Sequence, residues 1–239
     1  MKNKIESIVN NITKIADHSN KNTLIIGVSG GIDSCLTLTI IHKFLPNYKI
    51  LPYYLPIEND NDYPLIIKIE RFLNLKIQLH DFSSLWKQCV NDFEITNKMN
   101  AYNIKSKLRN MFLYSKAFEN NGLVISNLNY DEYYLGYFTK FGDSNGDLYP
   151  LINFTKQDII NMAKYLQIPM EIINQKPSAG LYIDQFDEDE FKFTYTDLDK
   201  YLNHIEINND IARLIQKRAN ENKHKKTLNH LINNNYRKE

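Results

Sequence analysis

Ser29-Gly30-Gly31-Ile32-Asp33-Ser34 is the stretch of this 239-residue chain whose residue types and spacing can do chemistry. It follows a short apolar run, Thr23 to Val28, and leads into a helical pattern from about Cys35 to Leu45. Two glycines let the backbone turn tightly and come close to a ligand. The amides then point outward at a helix N-terminus, where the dipole favours an anion. Hydroxyls from Ser29 and Ser34 add donors, so the stretch reads as a phosphate cradle. A Walker loop would carry a Lys before its Ser to hold the transferring phosphate. No Lys is present here, and Asp33 stands inside the cradle instead. A carboxylate there repels phosphate unless a cation lies between them, and Mg²⁺, taken by one or two carboxylates plus phosphate oxygens, is the natural intermediary. Such a loop holds pyrophosphate as a leaving group and leaves the α-phosphorus open to attack. A plain strand-to-helix turn also uses Gly-Gly, but the whole string in this context favours the cradle.

The elements that must position this loop follow from hydrophobic periodicity. Ile5, Ile8, Val9, Ile12 and Ile15 recur at helical spacing and predict an opening amphipathic helix. Apolar runs at 23–28, 49–54, 76–80 and 123–125 predict strands, with helices over about 62–73 and 103–119 between them. Strands alternating with helices predict an α/β fold, a doubly wound parallel sheet with helices on both faces. Ligands in such sheets bind beyond the carboxyl ends of the strands, where strand order reverses. Beyond about residue 150 the pattern is mostly helical. Asp187-Glu188-Asp189-Glu190 reads as a solvated loop and the basic tail from Arg213 to Lys238 as a solvated helix face. With no internal repeat and no Gly-, Pro- or Ser-rich linker, a single domain over 1–239 is expected.

Composition narrows the partners. Lys and Arg number 29 against 28 Asp and Glu, a net charge of +1, which gives no electrostatic reason to expect nucleic acid or an anionic membrane. Cys35 and Cys89 are far apart, so neither a disulfide framework nor a Cys-based zinc site is predicted. The first twenty or so residues lack the apolar core of a signal peptide, and no run is long enough to span a bilayer. A soluble, cytoplasmic protein is expected.

Ser29 to Ser34 resembles the pyrophosphate loop of the N-type ATP pyrophosphatases, a group that includes NAD, GMP and asparagine synthetases and several tRNA-modifying enzymes. Later segments narrow the resemblance. Leu135-Gly136-Tyr137-Phe138-Thr139-Lys140-Phe141-Gly142-Asp143, ending at Asp147, is similar to the GYFTKYGDGGxD segment of ammonia-dependent NAD synthetases. Leu148 to Lys156 is similar to that family's LxPLxxLxK, and Lys176 to Leu181 with the acidic run and Phe193-Thr194-Tyr195 to its KPPSAGL…DEDE…FTY. His224-Lys225 matches a C-terminal His-Lys pair. The likeness runs from about residue 20 to 226 with the motifs in order.

That resemblance implies an adenine nucleotide α-hydrolase-like fold. It implies ATP binding by Gly27, Val28, Ser29, Gly30, Gly31, Ile32, Asp33, Ser34, Asn127, Lys156 and Ser178, with Asp33 and Glu132 holding Mg²⁺. Lys107, Lys140, Asp147, His224 and Lys225 would bind deamido-NAD, and Asp33, Glu132 and Lys156 would carry the catalysis. The implied reaction is amidation of deamido-NAD through an acyl adenylate, with free ammonia as nitrogen source and a homodimer as the assembly. Asp143 is a candidate base for ammonium, and Tyr133, Tyr134 and Tyr137 read as core or interface. The chain departs from the family at Ser126-Asn127 (usually Gly-Thr), at Lys107 (usually Arg) and at Ser144-Asn145 (usually Gly-Gly). Two rival readings are a tRNA-modifying pyrophosphatase and a nucleotide-binding module without turnover.

Overall fold

The structure, a computed structural model, describes residues 1–58, 62–178 and 186–226. Helix α1 (Lys2–His18) leads to strand β1 (Thr23–Gly27), α2 (Ile32–Phe44), β2 (Lys49–Tyr54), α3 (Tyr63–Leu73) and β3 (Gln78–Leu79). Then come α4 (Ser83–Asp92), α5 (Lys98–Glu119), β4 (Gly122–Ile125), α6 (Tyr130–Leu135), α7 (Lys156–Tyr165) and α8 (Met170–Ile173). Three further helices follow, α9 (Asp187–Phe191), α10 (Tyr195–Leu202) and α11 (Asn209–Glu221), with a 3₁₀ turn at Lys223–Lys225.

The strands are parallel, in the order β3-β2-β1-β4. Successive side chains of a strand point to opposite faces. Leu24 and Ile26 of β1 join the core beneath α1, α2, α3, α7 and α8, while Ile25 packs with Tyr53, Val124, and Leu113 and Ala117 of α5. Both faces are therefore covered, as the unbroken apolar runs predict. Each Leu or Ile buried here contributes about 1.5–3 kcal/mol. Strand order reverses between β1 and β4, so the loops leaving those two strands share one crevice.

Several expectations shift. Helix α2 begins at Ile32 rather than near Cys35, because Gly31 takes an extended N-cap conformation (φ −76, ψ 163) and draws Asp33 and Ser34 into the first turn. β3 shrinks to two residues, both exposed, at the sheet's edge. Helix α4 was not predicted, although Trp86, Cys89 and Val90 have helical spacing and pack together against α5. Helix α5 starts earlier than Asn103, where the Asn97 side chain caps the Asn100 amide. The acidic run is not a loop. It forms α9, which with α10 and α11 builds a smaller core from Leu135, Phe191, Phe193, Tyr195, Leu198 and Ile215. Among the described residues, no helix is long and apolar enough to cross a membrane.

Cys35 lies inside α2, and burial pushes its thiol up from 9.0 to about 12, whereas Cys89 is only half-buried. The unfolded chain releases the Cys35 proton before the native chain does, so this group removes stability as pH rises above 9.0. At pH 8, one thiol per native chain should react quickly with an aromatic disulfide reagent, and the second only after denaturation. Two fast thiols in the native protein would contradict this packing of α2.

Candidate active site

The loop after β1 folds back through its own hydroxyls. Ser34 Oγ donates to the Gly31 carbonyl at 3.1 Å and accepts from the Ser29 amide at 3.2 Å, while Ser29 Oγ accepts from the Gly31 amide at 3.3 Å. Gly30 has φ +88, a left-handed conformation that side chains rarely adopt, and a Cβ there would press on Asp62 and Leu65. No side chain caps the start of α2. Its first-turn amides and dipole are thus presented to an anion.

Asp33, in that first turn, meets groups from two other elements. Lys156 Nζ, at the start of α7, lies 2.5 Å from Asp33 Oδ2, and Asn129 Nδ2 donates to Asp33 Oδ1 at 3.0 Å. Asn129 is the N-cap of α6: its side chain accepts from the Glu132 amide at 2.9 Å, and its own amide donates to Glu132 Oε2 at 3.1 Å. This capping box turns Glu132 back toward β1. Asn127 crosses the same gap, donating to the Gly27 carbonyl at 2.9 Å, while its buried Oδ1 has no hydrogen-bond partner among the described residues.

The crevice is strongly acidic. Loss of solvent, and then the Asp33 charge, hold the Glu132 carboxyl well above the usual carboxylate range. Burial raises Asp131 to about 7, even though one oxygen accepts from the Lys156 amide. Burial alone would lower the Lys156 ammonium, but Asp33 and Glu132 together keep it above its ordinary value. Asp187 also belongs here, which corrects its reading as part of a solvated run. It is 2% exposed, its Oδ2 accepts from Tyr195 Oη at 2.7 Å, and its charge acts on Lys156, Glu132 and Asp33. Glu188 and Asp189 are the exposed members of that run.

The residues suit a hard divalent ion. Two carboxylates repel each other unless a cation sits between them, and Mg²⁺ needs only one or two from protein. Among the described residues, no three His, Cys, Asp or Glu side chains form a complete cage, so phosphate and water would have to supply the remaining ligands. A cleft of about 550 Å³ beside Asp17, Lys21, Phe44 and Tyr48 lies at the opposite, amino end of the strands and contains none of these groups.

The other predicted contacts fall on a neighbouring surface. Lys140 Nζ donates to the His224 carbonyl at 3.2 Å, and Lys225 Nζ donates to the Gly136 and Phe138 carbonyls at 3.0 and 3.2 Å. The C-terminal turn is thereby tied to the segment after α6. Gly136 has φ +63, and a Cβ there would lie 2.4 Å from Asn222 Cβ. Asp147 is exposed and accepts from the Val124 amide on the edge of β4 at 2.8 Å. Asp143 Oδ1 accepts from Ser106 Oγ at 2.7 Å and from the Thr139 amide at 2.9 Å. Ser178 is exposed, and residues 179–181 of the Lys176–Leu181 segment lie outside the described residues. Lys107 is exposed on α5; Lys105 and Arg109 of that helix turn inward, Lys105 4% exposed and 2.8 Å from Glu58 Oε2, Arg109 Nε donating to the Leu55 carbonyl at 2.8 Å.

The family model described as NAD synthase matches residues 4–239. The chain belongs to the NAD synthase family. An NH₃-dependent NAD⁺ synthetase of Finegoldia magna is 38% identical over 226 residues, covering 92% of each chain. That of Mycoplasmopsis pulmonis is 37% identical over 212 residues, covering 88% of this chain and 82% of the relative. A solved structure described as NMN synthetase from Francisella tularensis superposes with TM-score 0.92 at 30% identity, over 97% of this chain and 98% of that one.

Departures from the NAD synthase pattern are absorbed by new hydrogen bonds. Asn110 and Asn145 pair reciprocally, Asn110 Nδ2 to the Asn145 carbonyl at 2.7 Å and Asn145 Nδ2 to Asn110 Oδ1 at 3.2 Å. Ser144 Oγ donates to the Thr139 carbonyl at 3.0 Å, and Ser126 Oγ to the Asp143 carbonyl at 2.8 Å. Asn129 and Asp187 were missed by sequence reasoning. The Asn-x-x-Glu spacing of a capping box was there to be read for the first. No local pattern marks the second.

Two substitutions at the ion pair should behave differently. Removing Asp33 leaves Lys156 beside Glu132 and Asp187, so Asp33→Ala should melt close to the unaltered protein while releasing no pyrophosphate. Lys156→Met leaves the carboxylates without a counter-charge and should cost about 3 kcal/mol in urea unfolding at pH 7. If Asp33→Ala proved the less stable of the two, this charge arrangement would be wrong.

Proposed function

We propose that this member of the NAD synthase family amidates deamido-NAD with ammonia, consuming ATP and releasing AMP and pyrophosphate. The observation that carries the reading is the meeting of Asp33, Asn129, Glu132 and Lys156 beside an uncapped helix N-terminus at the β1–β4 reversal. The nicotinate carboxylate does not react with amines directly, because oxide is a poor leaving group. Attack of that carboxylate on the α-phosphorus breaks the bond to the bridging oxygen of pyrophosphate and forms an acyl adenylate. Ammonia then adds to the acyl carbon, loses a proton, and AMP departs.

The chain's contribution is positioning and charge neutralisation. Amides of residues 29–34 and the Ser34 hydroxyl hold the terminal phosphates. Asp33 and Glu132 would hold Mg²⁺, which when bound offsets the phosphate charge. Lys156, carried by α7, is within reach to exchange Asp33 for a phosphate oxygen. Asn127 and Ser178 are assigned to ATP. Lys107, Lys140, Asp147, His224 and Lys225 are assigned to the substrate, with Asp143 exposed and held by Ser106 and the Thr139 amide. The chain is taken to act as one domain, in the cytoplasm. A homodimer is proposed on α5, where Met111 and Phe118, seven residues apart on one helical face with Lys107, are 60% and 93% exposed.

A second reading follows from the superposition on an NMN synthetase: the acid amidated is nicotinate mononucleotide. A tRNA substrate is disfavoured by the matching of the basic C-terminal face. Arg213 pairs with Asp210, Lys217 with Glu221 and Arg218 with Glu190, while Lys225 donates to main-chain carbonyls. Residues 227–238 of that tail lie outside the described residues.

With ATP, Mg²⁺ and an ammonium salt, deamido-NAD should yield NAD, AMP and pyrophosphate in equal amounts. A higher kcat/KM for nicotinate mononucleotide would select the second reading. No AMP with either acid would reject both. For the assembly, Phe118→Glu should convert a dimer to a monomer in light scattering, and an unaltered monomeric mass for the parent protein would rule the dimer out.

A further inference from the structure

Asn129 is fully buried and touches two of the acidic residues of the crevice, Asp33 and Glu132. We propose that Asn129 is a positioning residue that sets the separation and orientation of Asp33 and Glu132 before any cation or nucleotide arrives. The inference rests on reading that pair as the cation-binding carboxylates.

Three hydrogen bonds carry it. The side-chain amide donates to Asp33 Oδ1 at 3.0 Å, the side-chain oxygen accepts from the Glu132 amide at 2.9 Å, and the Asn129 amide donates to Glu132 Oε2 at 3.1 Å. The orientation of the carboxamide is unambiguous, because an ionised carboxylate only accepts and a main-chain amide only donates. Asp33 belongs to the helix after β1 and Glu132 to the helix after β4, 99 residues later in sequence by subtraction (132 − 33). One short side chain joins the two elements across the reversal. Asn129 has 0% exposure, so bulk solvent does not compete for these hydrogen bonds.

Few side chains can do both jobs. Asp lacks the donor and adds a third negative charge. Gln is a methylene too long for the cap. Ser and Thr accept from the third amide of a helix as well as Asn does, but they have no second polar atom to reach Asp33. Capping and positioning can therefore be separated by substitution. That separation also distinguishes a role in the site from a role in stability.

The experiment compares the unaltered protein with Asn129→Ser and Asn129→Thr. Mn²⁺ is titrated against each with a non-hydrolysable ATP analogue, bound metal is read by proton relaxation, and thermal melting is recorded alongside. Both variants keep the cap and should melt within a few degrees of the parent. Their Mn²⁺ affinity should fall on the order of tenfold to a hundredfold, the loss expected for a hydrogen bond to a charged group. In steady-state assays the KM for Mg²⁺ should rise more than kcat falls. Parent-like Mn²⁺ affinity in a folded variant would overturn the positioning role while leaving the carboxylate pair intact. A parent protein that binds no Mn²⁺ with the analogue would overturn the pair itself. If one variant fails to fold, the other decides.

Discussion

One ammonium group, that of Lys156, sits in contact with Asp33 and within the electrostatic reach of Glu132 and Asp187, and its own main-chain amide is capped by Asp131. The crevice at the β1–β4 reversal thus buries more negative than positive charge. Burying unmatched carboxylates costs free energy, which a fold selected for stability alone would avoid by placing apolar side chains here. The arrangement makes physical sense when a further cation and its phosphates complete the balance. Much of the surrounding architecture serves to hold these groups against their mutual repulsion. Helix α2 is buried along most of its length, α6 is fixed by a capping box, and α7 is anchored through Thr155, which caps the Asp158 amide.

The neighbouring surface, proposed above for the substrate, is built on a different principle. Helix α5 reaches it through Asn103, Ser106 and Asn110, each hydrogen-bonded to the 139–145 segment. That segment is irregular and holds its shape by side-chain contacts to a rigid helix rather than by a ladder of its own. This explains how the chain accommodates Ser144-Asn145 in place of the Gly-Gly of the family segment it resembles. Every added side chain finds a partner in the segment or on α5, and the polar groups near the turn are paired rather than left to water.

The sheet was legible because both faces are covered. Residues 23–27 form a continuous apolar run with no polar side to confuse the reading, and the phosphate loop follows directly from it. Asp33 and Glu132 were singled out together by the family resemblance, and the adjacency of β1 and β4 accounts for how both reach one crevice. Asp187 was not legible, because its burial depends on Tyr195 and on helices packed from far along the chain, and an acidic run looks solvated by local criteria. Helix α4 was overlooked because its apolar face is narrow, with Trp86 its one fully buried residue. Lys105 and Lys107 are two residues apart on one helix, hence on different sides of it. Periodicity alone does not say which of the two turns inward.

The close fit of Asn222 against Gly136, with the Lys225 contacts beside it, makes residues 222–225 part of the packing around the segment after α6 rather than an appendage. Shortening the protein before residue 222 would strip the Lys225 ammonium from two carbonyls and open the segment after α6 to solvent.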